Sequence, residues 1–486
     1  MQRRKFLQDS TLATAGFFMA GKTWASTGTA EFPVVRIPEA KRKFKSLAVE
    51  KIIGEVRAKI GNKEIGWLFE NCLPNTLDTT VDFEIKDGKP DTYVITGDID
   101  AMWLRDSSAQ VWPYLSLCKD DKDLQELIKG VIHRQVKCIL KDPYANAFYK
   151  DESKVSEWKE TDSTDMKPGI HERKWEIDSL CYPIRLASGY FHETKDPSAF
   201  DKDWLEAMGL ILKTFKAQQR KDEEGPYSFQ RKTSWATDGV PMGGYGYPTK
   251  KVGLIHSMFR PSDDATIFPF LIPSNLFALS SLRNLQTILV TLKIGQELIG
   301  PCETLQRELV SALNEHAVVK HPVFGEVFAY EADGFGNHTF MDDANVPSLL
   351  ALPYLQSPDF MGDLSVLHAD KKGHAVYLNT RKMLLSLSNP FFYKGNAGEG
   401  IGGPHAGLNM IWPLSIIMRG LTSQDPKEIS LCLSMLQKSH AETGFMHESF
   451  HKDDVKKFSR AWFAWANTLF GEFVLKVYRE RPALLA

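Results

Sequence analysis

The sequence predicts an all-α chain folded as an (α/α)6 barrel, a toroid of six helical hairpins, with small β-hairpins decorating the loops of one rim. Three observations predict it. Apolar residues recur at three and four positions through residues 123–140, 204–217 and 276–299, the stripe with which a helix buries one face. Strand alternation is scarce, so extended pieces are expected only at 80–85, 325–330 and 375–378. Finally, a loop rich in Gly, Asp, His or aromatic residues runs six times straight into an apolar helical segment, at intervals of roughly 50 to 90 residues, enough for two helices and their loops.

The six segments follow in order. GDIDAMWLRDSSAQVWPYL surrounds Asp106, HERKWEIDSLCYPIRLASGYF surrounds Asp178, and RPSDDATIFPFLIPSNLFAL surrounds Asp264. FMDDANVPSLLALPYL carries Asp343, GGPHAGLNMIWPLSIIMRGL carries Asn409, and SRAWFAWANTLFGEFVLKVY carries Trp462. An Asp or Asn just before a helix caps free backbone N–H groups, so some of these acids are expected to be caps, one aspartate of the first segment among them. Capping alone does not call for two Asp-Asp pairs with Arg and Trp beside them.

No Ser/Gly-rich linker or low-complexity block follows residue 45, which makes 45–486 a single catalytic domain. Residues 1–30 read differently: Arg3-Arg4-Lys5-Phe6-Leu7, a short apolar run and small residues have the order of a twin-arginine export signal. The expectation is an exported protein, periplasmic or extracellular, without a lipid-anchor cysteine near the signal. Nor does any later run reach the ~18 apolar residues of a membrane span.

Composition narrows the partners. A formal charge of -2 gives no electrostatic case for nucleic acid or an anionic membrane surface. Aromatics make up 11% of the 486 residues, and tryptophans beside acids suit a sugar, whose apolar faces stack on rings while its hydroxyls take hydrogen bonds. The six cysteines form no C-x-x-C pair; buried free thiols are expected, with one disulfide as the alternative.

Acetal hydrolysis needs one carboxyl group protonated, to help the leaving oxygen depart, and one ionised, to activate water or attack the sugar. Candidates in the rim loops are Asp98, Asp100, Asp106, Asp263, Asp264, Asp342, Asp343 and Glu448, with Glu172 and Glu399 behind them. Glu448, flanked by His447 and His451 in ETGFMHESFHKDD, suits a base that a neighbouring His keeps ionised. The pair Asp263 and Asp264 suits an acid, since neighbouring carboxylates in apolar surroundings raise one pKa. Trp103 offers a stacking face, and Arg105 with Asp106 a set of hydroxyl binders or else a buried ion pair. His405 and Asn409 follow a Gly-rich loop, within reach of a sugar hydroxyl or in a structural role. His447-Glu448-Ser449-Phe450-His451 spells H-E-x-x-H, but in a Gly-led turn and not on a helical stripe, where its two His would share a face, so catalytic zinc is not expected; Asp98, Asp100, Asp342 and Asp343 leave calcium as an alternative. The Gly-rich loops at Gly243 and Gly398 lack the Walker lysine, and no G-x-S-x-G is present.

Together TGDIDAMWLRDSSAQVWPY, HERKWEIDSLCYPI, RPSDDATIFPFLIPSN, FMDDANVPSLLALPYL, GPHAGLNMIWPLSIIMRGL and GFMHESF closely resemble glycoside hydrolase family 125, from about Val49 to the C-terminus. The resemblance implies an exo-acting enzyme that removes terminal non-reducing α-1,6-linked mannose from oligosaccharides or N-glycans, with inversion, no metal and no cofactor. It puts the general acid in Arg260-Pro261-Ser262-Asp263-Asp264 and the general base on Glu448. Of the two aspartates Asp264 is preferred, because it is expected to adjoin the helix. The sugar would be held by Trp103, Arg105, Asp106, Arg260, His405, Asn409 and His447. A glycoside phosphorylase on the same fold, or a non-catalytic glycan-binding toroid, are the alternatives, and the oligomeric state is left open.

Overall fold

Local capping explains where most of the outlying helices begin. The computed structural model describes residues 32–355 and 372–486; the expected export signal lies outside them. Helix α1 (Leu47–Lys59) starts at Ser46, whose side chain accepts the Val49 N–H. Helix α2 (Lys63–Cys72) starts at Asn62 in the same way and leads into the short α3 (Asn75–Thr79). Asp121 caps α5 (Lys122–Lys141), Asp201 caps α7 (Lys202–Gln218) and Asp425 caps α12 (Pro426–Ser439).

The helices that follow the quoted loops begin otherwise. These are α4 (Leu104–Val111), α6 (Ile177–Thr194), α8 (Ile272–Leu292), α11 (Pro413–Leu421) and α13 (Ala464–Glu480). Their cap positions hold Trp103, Glu176, Leu271, Trp412 and Phe463, and no side chain caps any of them. The expected aspartate cap on the first is therefore wrong: Asp106 lies inside the first turn of α4 and faces Arg105. Short strands fix some of these entries instead. Met102–Trp103 pairs with Ala147–Phe148, which pairs with Ile170–Glu172, and Met410–Ile411 pairs with Phe450–His451. The rim acids are left free for other work.

Helix α6 packs between α4 and α8, and α13 between α4 and α11. Behind them, α5 lies against α7, α7 and α8 against α9 (Gln296–His316), α12 against α11, and α2 against α13. Gly420 in α11 lets Phe473 of α13 sit where a Cβ would be. All six cysteines are buried free thiols. Among the described residues no helix is long and apolar enough to cross a membrane.

Three expectations about elements need correction. Residues 276–299 are not one helix: Lys293 and Gly295 both take left-handed backbone, so α8 ends and α9 begins. Residues 375–378 are not extended but lie in α10 (Lys372–Leu384), where Val376, Tyr377, Thr380, Met383 and Leu384 are buried at helical spacing. In the fourth segment the described residues form only a 3-10 turn, Leu352–Tyr354, against α8. The other strand readings hold: Val81–Lys86 pairs with Lys89–Val94, and Gly325–Phe328 with Val318–His321. Asp87 and Gly88, both at positive φ, make the tight turn of the first hairpin.

Candidate active site

Arg105, in the first turn of α4, is the hub on which three rim loops meet. Its Nη1 donates to Asp106 Oδ2 at 2.6 Å and its Nε to Asp178 Oδ2 at 3.2 Å. Its Nη2 reaches Asp263 Oδ1 at 3.0 Å and both Glu176 oxygens at 3.3 and 3.4 Å. The Trp465 ring lies 5.9 Å from the guanidinium carbon. Taking so many charges out of water is tolerable only because they pair with one another.

The strip of short strands beside α4 carries a second cluster. Glu172 receives Arg231 at 2.9 Å, Lys174 at 3.4 Å and the Asn146 amide at 3.1 Å. Burial pushes its pKa up, but Lys174 and Arg231 outweigh this and bring it down to about 2. Lys174 also donates to Asp238 and to the backbone carbonyl of Asp263, both at 2.8 Å.

Asp263 has φ 66° and its N–H bonds back to the Arg260 carbonyl at 2.9 Å, a tight turn that swings its side chain toward Arg105. Its side chain is 20% exposed, and Asn146 donates to it at 3.4 Å. Asp264 faces elsewhere: 0% exposed, it takes Thr237 Oγ1 at 2.6 Å and lies 3.9 Å from His405 Nδ1. Helix α8 begins only at Ile272, so neither aspartate adjoins it, and the reason for preferring Asp264 fails.

Glu448 is held from the opposite loop. Met446 N–H donates to Asn467 Oδ1 in α13 at 2.8 Å, which anchors the turn. Ser459 Oγ donates to Glu448 Oε2 at 2.7 Å and Arg460 Nη1 to Oε1 at 3.3 Å. Burial would raise this carboxyl, but Arg460, His405 and Ser459 together hold it below the usual range, so it is ionised.

His447 does not orient Glu448. Its ring stacks on Phe458 at 4.0 Å and its Nδ1 bonds the Ala461 carbonyl at 2.8 Å; burial lowers its pKa to about 4. His451 accepts the Asp453 N–H. Arg260 is committed to Glu331 at 2.7 Å in the wall behind the site, so the grip on sugar expected of Arg260 and His447 is not what the structure gives them. Trp103 is buried, edge-on to His171, and offers little ring face; the half-buried Trp462, lying over Gly97, is the tryptophan at this rim. Asn409, at φ 65°, accepts the Lys452 N–H through its carbonyl and so ties the His405 loop to the Glu448 hairpin.

The remaining acids do not converge. Asp98 faces Arg460, and Asp100 is 77% exposed beside Lys154. Asp342 accepts the Leu349 and Leu350 N–H groups, Asp343 takes Ser262, and Glu399 pairs with Arg419. The calcium alternative, which needed the first four as common ligands, loses its basis. Reading by loop missed Glu176, Lys174, Asn146, Ser459 and Arg460 as site residues, although the rim segments HERKWEIDSL and SRAWF contain four of them.

Two carboxyls on separate rim loops, Asp263 among further carboxyls and Glu448 beside Arg460, can divide acid and base work. The profile of the family described as "Metal-independent alpha-mannosidase (GH125)" matches residues 62–475. This chain belongs to glycoside hydrolase family 125. Family 125 membership makes it a glycoside hydrolase of the α-mannosidase type, working without a metal. A Streptococcus pneumoniae metal-independent α-mannosidase, solved as a non-productive complex with α-1,6-mannobiose, is 40% identical; the match covers 90% of this chain and 100% of that one, with a TM-score of 0.83. The Schizosaccharomyces pombe "Meiotically up-regulated gene 157 protein" is 38% identical over 485 residues, 95% of this chain and 92% of that protein. A bacterial glucoamylase complexed with acarbose shares the fold alone, at 14% identity and a TM-score of 0.50 over 90% of this chain and 59% of its own.

Proposed function

We propose that this family 125 protein is an exo-acting α-1,6-mannosidase that inverts the anomeric centre, with Asp263 as general acid and Glu448 as general base. The observation that carries the assignment is the different company of the two carboxyls. Glu448 meets Arg460 and Ser459 and is held ionised. Asp263, the more exposed of the aspartate pair, is itself drawn down by Arg105 and Lys174 against burial, but it shares Arg105 with Glu176, whose carboxyl burial raises well above its usual range, so a proton is at hand beside it. Asp263 gives its proton to the glycosidic oxygen as the C1–O bond breaks. Glu448 takes a proton from a water that attacks C1 from the opposite face. A separation of ~6.5–9.5 Å between the two carboxyls admits that water.

The linkage rests on the 40% identical relative and its α-1,6-mannobiose complex; a dimannoside offers a single bond for an exo-enzyme to cut. The same reading closes the helices into an (α/α)6 ring, with mannose-containing oligosaccharides or N-glycans as substrates and residues 1–30 as an export signal. Subcellular fractionation of a tagged full-length chain, with and without Arg3 and Arg4 replaced by Lys, tests the export.

The decisive experiment follows α-1,6-mannobiose by proton NMR, with chelator and with and without phosphate. Release of β-mannose first, unaffected by either addition, is the expected result. α-Mannose appearing first would place a nucleophile in the site, and a mannose phosphate would make the protein a phosphorylase. No cleavage would leave a glycan-binding toroid.

A further inference from the structure

Glu176 stands at the start of α6 with a side chain 0% exposed, and it caps nothing. Its carboxyl takes the Ser179 hydroxyl at 2.9 Å and shares Arg105 Nη2 with Asp263, at 3.3 and 3.0 Å. Two carboxylates crowded onto one N–H group repel each other, and a proton on one of them relieves this. Charge count leads to the same place. Asp106, Glu176, Asp178 and Asp263 converge on the single guanidinium of Arg105. Lys174 and Arg231, the nearest other cations, are already engaged by Glu172 and Asp238, and Arg460 by Glu448 and Asp98. Burying all four as anions beside one cation would be prohibitive.

We infer that Glu176 and Asp263 hold one proton between them, so that the acid of this site is a carboxyl pair in which Glu176 is the positioning residue and Asp263 the member that reaches the glycosidic oxygen. The inference rests on the assignment of Asp263 as general acid. When the C1–O bond breaks, its electron pair goes to the leaving oxygen, which takes the pair's proton. The pair is left fully ionised around Arg105 while Glu448 holds the proton of the attacking water. Exchange with solvent returns a proton to the pair and removes one from Glu448. The fully buried Glu176 is raised well above the ordinary glutamate range by burial, against Arg105 and together with the charge of Asp263, which is the direction the shared proton requires.

The test compares Glu176→Gln, Asp263→Asn and the unmodified protein on α-1,6-mannobiose and on a dinitrophenyl α-mannoside, whose leaving group needs no acid. Glutamine keeps the volume and can donate to Asp263, but it supplies no proton. Turnover of mannobiose by Glu176→Gln should fall at least about a hundredfold, the lower end of what general-acid catalysis contributes, with much less loss on the activated mannoside. The alkaline limb of the mannobiose pH profile should move to lower pH. An unchanged profile and leaving-group dependence in Glu176→Gln, with Asp263→Asn showing the selective loss, would overturn the shared proton alone. Asp263→Asn that cleaves mannobiose normally would instead overturn the choice of acid. Should Glu176→Gln not fold, difference infrared spectra of the unmodified protein and Asp263→Asn decide: a protonated-carboxyl band that shifts on removing Asp263 is expected, and its absence refutes the pair.

Discussion

Asp263 and Asp264 are neighbours in the chain whose carboxyl groups serve different places. Asp263 receives Arg105 Nη2 at 3.0 Å in the site, and Asp264 receives Thr237 Oγ1 at 2.6 Å in the wall. The left-handed backbone at Asp263 separates them. Asp263→Asn should therefore lower turnover of α-1,6-mannobiose by two to four orders of magnitude, roughly the worth of general-acid catalysis, with an unchanged melting temperature. Asp264→Asn should do the reverse, costing about 1–3 kcal/mol of stability by leaving buried partners unsatisfied and touching turnover less. Paired kinetics and thermal unfolding check both.

Glu448→Gln keeps the volume and can still meet Ser459, but it cannot accept a proton from water. Turnover should drop by several orders of magnitude on every mannoside, activated or not, because water activation is needed whatever the leaving group. Near-normal rates from a folded variant would remove Glu448 from the mechanism.

Arg460 is a principal reason that Glu448 stays ionised. In Arg460→Met the Glu448 pKa should rise, and since the base works only when ionised, the acidic limb of the rate profile should shift to higher pH. The matching stability effect has a definite sign. A carboxyl depressed in the folded state contributes stability above its unfolded pKa and loses it as pH falls through the folded one. Acid unfolding of Arg460→Met should consequently begin at higher pH, as urea titrations across the acid range would show.

Gly420 sits where Phe473 of α13 fills the space of a side chain. Gly420→Ala should destabilise the protein by about 1–3 kcal/mol through overpacking, read from urea unfolding. Activity per folded molecule should stay the same, since the contact lies between helix bodies and outside the site.

Helix periodicity and loop chemistry carried most of the architecture. The stripes over 123–140 and 204–217 match α5 and α7, because an apolar face at that spacing has one efficient way to be buried. The same reasoning failed at 276–299, where Gly295 and the left-handed Lys293 break the chain despite apolar continuity. It failed again at 375–378, where a short apolar run fits either period and packing beside the 318–328 hairpin selects the helix. The site was legible as a set of loops and not as a set of roles. Glu448 and the Asp263-Asp264 pair stood out by composition, but Glu176, a polar residue before a helix, carries no local signal that sets it apart.

By itself, then, the sequence determined the helical class, the loops that bear the chemistry and the family to which they belong, because hydrophobic period and residue type are local properties of the chain. Tertiary structure alone decided what each acid does. Arg105 gathers Asp106, Glu176, Asp178 and Asp263 from three separate segments, and Arg460 joins Glu448 to Asp98 across nearly the whole chain. A carboxyl's protonation depends on burial and on the charges within a few ångströms. Those neighbours are set by folding, at sequence distances over which no local pattern has a view.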